Sequence, residues 1–426
     1  MATPTRSSGR TDVNAEEPSG ATPNRTRNRQ VAIVVAMAIG AAVFDFFLAI
    51  RHGFFDLNVY YGAINYWMHN GGSLYEYLLP HNTYGFTYPP FAAITMLPMA
   101  ITPWHIAIVI SCLLCVFTSV VVIRWFVVPV AKREQWPVWF AMGVTLCCAA
   151  IFEPLRETFL FGQVNMLLVF LVAADVVLFI SRRSPWAGVG IGLATAIKLT
   201  PGIFIIYLLL TKRWRAAFVA SLTAGLATVF AAAVAPQASL VFWTDAVWNT
   251  DRVGALAFIS NQSLNGAVAR IHQADPSTIG WLAAVAVIVA IWAVRVRRAS
   301  AAGDELTAFA LTGIVGCLVS PITWVHHLVW FGPALLLLLD NAMAADTRKR
   351  RNRLLAFMII SYGLLCSRIV WEFADNWFNP LTWFLSNTYV WIGIALLVWL
   401  PIRVRAGGPA VDAPVATGQE SVVAAR

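Results

Sequence analysis

Apolar segments of membrane-spanning length, separated by short basic clusters, restrict the fold of this chain more than any other feature. Residues 31–50 form a twenty-residue run broken only by Asp45. As a helix, such a run covers about 30 Å, the thickness of a bilayer's hydrocarbon core. Further runs lie near 104–128, 137–152, 164–181, 214–235, 278–294, 306–319, 354–370 and 388–402, and one more ends near 341. Only 12% of residues are charged and 59% are hydrophobic, where soluble domains carry about a quarter charged residues. The expected fold is an all-α polytopic membrane protein with about 12 transmembrane helices.

A net charge of +9 would suit a nucleic-acid partner, but the basic residues gather between apolar runs and act as topology signals. With residues 1–30 inside, 24 of the 30 Lys and Arg residues fall inside and six outside. That bias predicts N-in, C-in and an even number of spans. It also puts all seven histidines on the outer side of a plasma membrane. No small-residue cleavage site follows residues 31–50, so they are read as a retained span. The chain divides into a disordered cytoplasmic tail (1–30), a multispan domain (31–405) and a second tail (406–426). The domain has long outer loops at 51–103 and 236–277. Residues 91–101 are too short to span and are placed in the interface or in a re-entrant turn.

Residues 185–197 and 201–211 read as two short helices around Lys198-Leu199-Thr200-Pro201. Each reaches only about 20 Å or less, so the tip of the hairpin is expected below the outer surface, buried in protein. Cys112 and Cys115 have CxxC spacing, but no second pair or His follows at zinc spacing. All six cysteines are read as small buried hydrophobes, and no metal is expected.

The candidate chemistry lies on the outer side. Asp56 opens the stretch FFDLNVYYGAINYWMHNGG, in which Tyr60, Tyr61, Asn65, Tyr66 and Trp67 follow it. A carboxylate beside a membrane helix, backed by aromatics, can take the proton of a sugar hydroxyl. The plain alternative is a solvated helix cap. Glu76, Glu153, Glu157, Asp245, Asp251, Glu372 and Asp375 compete for the role. Asp175, inside a span, suits a structural hydrogen-bonding role. Lys198 is read either as a snorkelling lysine or as a site for an anionic headgroup, helped by Thr200 and nearby helix ends. His326 and His327 suit a phosphate or a hydroxyl better than a metal. Arg252, Asn261, Gln262 and Asn265 form a polar group fit for sugar hydroxyls, with Trp243 and Trp248 as stacking faces.

FFDLNVYYGA, FTYPPFAAI, FLFGQVNMLL, IKLTPGIFIIYLLLTKRWRAA, NQSLNGAVAR and SPITWVHH stand in order along about two thirds of the chain. With them the chain resembles the actinobacterial polyprenol-phosphate-mannose-dependent α-1,2-mannosyltransferases, multispan glycosyltransferases of the C fold class. The resemblance implies a base at Asp56 and donor-phosphate contacts from Lys198, His326, His327 and Arg252. It implies sugar or acceptor contacts from Tyr60, Tyr88, Gln163, Asn165, Asn261, Gln262 and Asn265. It also implies a polyprenyl-phosphate-mannose donor, an acceptor such as a phosphatidylinositol mannoside, inversion at the anomeric carbon, and no cofactor or nucleotide. Members that branch lipomannan or transfer arabinofuranose are the nearest alternatives. A polyprenyl-sugar transporter is a further one, which the long outer loops and the lack of an internal repeat disfavour.

Overall fold

A computed structural model describes residues 23–48, 52–80, 83–248, 254–374 and 379–403. Its described residues are helical, apart from turns, loops and an isolated bridge between Leu78 and Gly85. The order begins α1 (Pro23–Leu48), α2 (Phe55–His69), α3 (Pro90–Thr95), α4 (Trp104–Arg133), α5 (Val138–Ile151) and α6 (Glu153–Phe161). It continues α7 (Asn165–Ala174), α8 (Val189–Ile197), α9 (Ile203–Leu210), α10 (Trp214–Val234), α11 (Pro236–Val241) and α12 (Leu264–Ala269). It ends with α13 (Thr278–Ala301), α14 (Glu305–Val319), α15 (Gly332–Met343), α16 (Arg348–Cys366), α17 (Pro380–Ser386) and α18 (Thr388–Trp399).

Among the described residues, four helices have the length and apolarity to cross a membrane: α1, α4, α10 and α13. Two bent pairs, α5 with α6 (70°) and α17 with α18 (66°), raise the number to six. Of the remaining expected spans, α14 and α16 are continuous helices of 15 and 19 residues, and others are broken. The run at 164–181 is helical but changes to a π turn over Asp175–Ile180. The hairpin around Lys198 is two helices of nine and eight residues. Residues 91–101 form α3 and a 3-10 turn over Leu97–Ala100, short as expected. Helix α1 starts at Pro23, so residues 23–30 continue the span's helix and are not a loose tail. Residues of fair helix propensity extend a helix already nucleated by the apolar run.

Position within the bundle follows composition. Helix α14 is apolar on every face and buried nearly throughout, with Phe309, Leu311, Ile314, Val315 and Leu318 all fully enclosed; such a helix belongs in the core. It packs on α13, α15, α18 and the 3-10 turn Val325–Phe331. Helix α1 is peripheral, packs on α5, and exposes Phe46 and Phe47.

Two polar layers lie at the two ends of α14. At its N-terminal end, Asp340 pairs with Arg133 (2.5 Å) and Arg403 (3.0 Å), and Glu305 pairs with Arg213. Asp304 caps α14 and accepts from the Arg403 backbone N–H (3.0 Å). The other layer holds the predicted site. Asp175 lies outside both. Its carboxylate accepts from the backbone N–H groups of Gly188 (2.8 Å) and Ile191 (3.0 Å), capping the start of α8.

Candidate active site

Asp56 stands in the first turn of α2, and backbone geometry fixes that turn. Gly53 and Phe54 are both left-handed (φ 61° and 55°). This is an ordinary conformation for glycine and a strained one for phenylalanine. The Phe54 N–H donates to the Leu160 carbonyl (3.2 Å), tying α2 to α6. Gly162 ends α6 with φ 68°. The Gly162 and Gln163 N–H groups donate back to Phe159 and Thr158, a glycine-based helix stop. A Cβ on Gly162 would lie 2.6 Å from Leu57 Cβ, so only glycine lets α6 end against α2. Gln163 follows directly and thus reaches Asp56.

From there a continuous chain of polar contacts leads to Lys198. Gln163 Nε2 donates to Asp56 Oδ2 (2.8 Å), and Tyr88 Oη donates to Gln163 Oε1 (2.9 Å). Tyr60 Oη donates to Tyr88 Oη (2.9 Å), and so does Lys198 Nζ (3.2 Å). Lys198 also donates to Asn165 Oδ1 (3.3 Å) and lies 3.1 Å from His327 Nε2. Its ammonium sits 4.9 Å from the centre of the Tyr88 ring. The lysine is delivered by a break in the hairpin: it is the extended residue ending α8, and Pro201 starts the turn into α9. Proline can neither continue the preceding helix nor donate a backbone hydrogen bond.

The two histidines are fixed differently. His327 Nδ1 accepts from the Trp324 backbone N–H (3.1 Å), which leaves its proton on Nε2. Burial, and then the Lys198 ammonium, hold its pKa well below the ordinary value, so the ring is neutral. Two donors, Lys198 Nζ and His327 Nε2–H, therefore face each other across 3.1 Å. An anion beside them would accept from both. They line a cavity of about 30 Å³ with Asn165, Thr200, Ser320 and Thr323, room for one or two waters. His326 lies against Phe161, and its carbonyl accepts from Thr158 (2.8 Å) and Asn165 (3.0 Å). Its Nε2 is buried without a hydrogen bond.

Burial, opposed by Gln163, Lys198 and His52 in that order, raises Asp56 to about 6. A carboxylate with that value is ionised at pH 7 and more basic than an ordinary one, as a general base requires.

The predicted amides of the second outer loop do not join this cluster. Asn261 accepts from Thr323 N–H (2.9 Å) and donates to the Leu256 carbonyl (2.9 Å). Gln262 donates to the carbonyls of Ile259 (2.8 Å) and Ser386 (2.9 Å). Both side chains are fully buried, and Asn265 is nearly so. These amides fasten the loop to the Pro321 turn and to α17, which leaves Asn261 no capacity for a sugar. Arg270 does similar work, donating to Asn387 Oδ1 (2.6 Å) and the Asn261 carbonyl (2.8 Å). Arg252 and Asp251 lie outside the described residues. Trp248 is exposed and Trp243 partly so.

Sequence reasoning missed the groups packed against α6. His52 stacks on Phe161 (4.0 Å between ring centres) and lies 2.6 Å from Glu157. Arg368 reaches the same carboxylate (3.4 Å). Glu153 accepts from Trp371 (2.7 Å) and from Tyr389. The signal was present in the alternating charges of EPLRE, which are too dense for an ordinary apolar helix.

Comparison with known proteins identifies the family. Residues 86–321 match glycosyltransferase family 87. A polyprenol-phosphate-mannose-dependent alpha-(1-2)-phosphatidylinositol mannoside mannosyltransferase of Mycobacterium tuberculosis is 30% identical over 82% of this chain and 85% of its own. Its namesake from Mycolicibacterium smegmatis is 34% identical over 82% and 75%. A pentamannoside mannosyltransferase of the latter species is 31% identical over 83% and 87%. No solved structure matches. A family match across more than half the chain, with relatives this similar along most of its length, makes the chain a member of glycosyltransferase family 87.

Proposed function

We propose that this protein transfers mannose from polyprenyl-phosphate-mannose to a phosphatidylinositol mannoside, forming an α-1,2 linkage with inversion. The observation that carries the reading is the polar chain from Asp56 through Gln163 and Tyr88 to Lys198. It spaces a basic carboxylate from a cation by intervening neutral groups, as in-line displacement at a sugar carbon requires. Relatives with this activity in their names support the donor and acceptor. Asp56 takes the proton of the acceptor hydroxyl as its oxygen attacks the anomeric carbon. The bond from that carbon to the phosphate oxygen breaks, and its electron pair leaves with the lipid phosphate. Lys198 and His327 hold that phosphate as its charge grows, so their contacts strengthen in the transition state. The leaving group is a stable anion, and no second carboxylate is needed, unlike glycoside hydrolysis.

The same reading has about twelve membrane segments, some broken, with both termini inside and the site at the outer face of the plasma membrane. The bias of basic residues supports this orientation. The functional test is incubation of purified protein with labelled polyprenyl-phosphate-mannose and phosphatidylinositol mannosides, with the linkage read by NMR. Expected is an α-1,2-mannosylated product; absence of transfer to any of these acceptors would refute the reading. Labelling single cysteines in intact cells with an impermeant reagent tests the side: position 56 should react and position 348 should not.

A further inference from the structure

Helix α6 separates two environments. Glu153, Glu157, Thr158 and Phe161 face the cluster around His52 and His326. Leu155, Arg156, Phe159 and Leu160 line a cleft of about 590 Å³ on its other side, walled by α1, α4 and α5. The cleft is apolar except for Asp45, Ser119 and Arg156. Phe46 (70% exposed) and Val116 (50% exposed) stand at its edge, so it opens outward between peripheral helices. Arg156 is only 5% exposed, and none of its three guanidinium nitrogens makes a hydrogen bond. Its nearest acids are Asp45 (3.6 Å) and Glu157 (3.8 Å), beyond hydrogen-bonding distance, and the Phe44 ring lies 5.5 Å away. The two acids balance its charge from ion-pair distance, but without close hydrogen bonds the planar guanidinium keeps donors open to a further acceptor.

We propose that this cleft holds the lipid anchor of the acceptor: an acyl chain in its apolar part and the phosphodiester of phosphatidylinositol on Arg156. The assignment rests on the mannosyl-transfer reading given above. Inversion requires the attacking hydroxyl and the leaving phosphate on opposite sides of the anomeric carbon. The two headgroups must therefore meet the anomeric carbon from opposite faces, and two separate lipid sites allow this. Lys198 and His327 hold the donor phosphate, and Asp56 receives the acceptor. Arg156 and the Asp56 site share one helix: α6 carries Arg156 in its first turns, and Gln163, which touches Asp56, follows directly on its end at Gly162. The guanidinium fork matches a phosphodiester's paired oxygens.

Native mass spectrometry of the full-length protein in detergent tests this, with diacyl phosphatidylinositol and a polyprenyl phosphate as separate probes. Arg156→Met should weaken retention of phosphatidylinositol at least about tenfold, and Arg156→Lys should weaken it less. Val120→Trp, which fills the cleft and leaves Arg156 and its ion pairs alone, should also lose this lipid. Both should keep polyprenyl phosphate, while Lys198→Ala should show the reverse pattern. Unchanged phosphatidylinositol retention in Val120→Trp would overturn the site, even if Arg156→Met failed to fold. Loss of polyprenyl phosphate alone would overturn it too, assigning the cleft to the donor's chain. Intact lipid binding without mannosyl transfer by wild type would refute the proposed function and leave the lipid site standing.

Discussion

The two polar layers at the ends of α14 are built from similar residues and are satisfied differently. At the N-terminal end, Asp340 pairs with Arg133 and Arg403, and Glu305 with Arg213. At the other end, Lys198 has only neutral partners, namely Tyr88, Asn165 and His327, and among the described residues it forms no ion pair. Asp56 likewise is held by an amide and not by a cation. The first layer is complete without a ligand. The second keeps a carboxylate and an ammonium apart by a relay of neutral groups. Collapsing them into an ion pair would remove both from chemistry. That separation is what the proposed function uses.

The comparison breaks first at Asp56. Asp56→Asn keeps the shape and the Gln163 contact but cannot accept a proton at neutral pH. Transfer should fall by about 10²-fold or more, the lower end of general-base contributions. Yield and donor binding should persist. Near-normal single-turnover rates would move the base elsewhere.

The opposite layer should respond in stability and not in rate. Asp340→Ala leaves Arg133 and Arg403 without their shared acid and should cost about 3 kcal/mol. Thermal unfolding in detergent reads this, and kcat per folded molecule should stay within about twofold. A large fall in kcat with unchanged stability would erase the distinction between the layers.

Lys198→Ala should do the converse. It removes a cation without an acidic partner, so unfolding should be little changed. Donor kcat/KM should drop about tenfold or more, as for a lost charge-assisted hydrogen bond. Equal donor binding and equal rate in a folded variant would make Lys198 a snorkelling residue.

How much of this could be read from the sequence depends on what each residue type reports. Apolar runs and basic clusters place helices but do not say whether a helix is straight. The bend between α5 and α6 arises at Phe152 and Pro154, where proline suits the first turn of a new helix; in sequence that segment looks like a loop. Asp56, Gln163, Tyr88, Asn165, Lys198 and His327 were found through motifs, and folding brings them into one chain of contacts. Asn261 and Gln262 were selected as polar residues in an outer loop, yet a buried loop must satisfy its own backbone, and that takes up the Asn261 amide and the Gln262 NH2 group. Arg156 registered only as one outer arginine against the charge bias. Its burial beside an apolar cleft is a tertiary property that no local pattern encodes.

The smallest effect is the most diagnostic of how Asp56 is tuned. Its raised value of about 6 has burial as the first cause, and the Gln163 hydrogen bond is the largest force in the opposite direction. A base must be ionised, so transfer should be level above that value and fall as pH drops through it. Between about pH 7.5 and about pH 5 the rate should decline about tenfold. Burial, and then the Lys198 ammonium, push His327 the opposite way, well below its ordinary value. Gln163→Leu keeps the burial and removes the hydrogen bond that favours the carboxylate. The break should then move to higher pH, with the rate on the alkaline plateau less affected than the rate near pH 6. Lys198→Ala should move it the same way by less, because its Coulombic pull on Asp56 is the smaller influence. Single-turnover rates across this range separate the outcomes. A break that stays in place in Gln163→Leu would show that the titrating group is not Asp56, and the separation of carboxylate from cation would lose its chemical meaning.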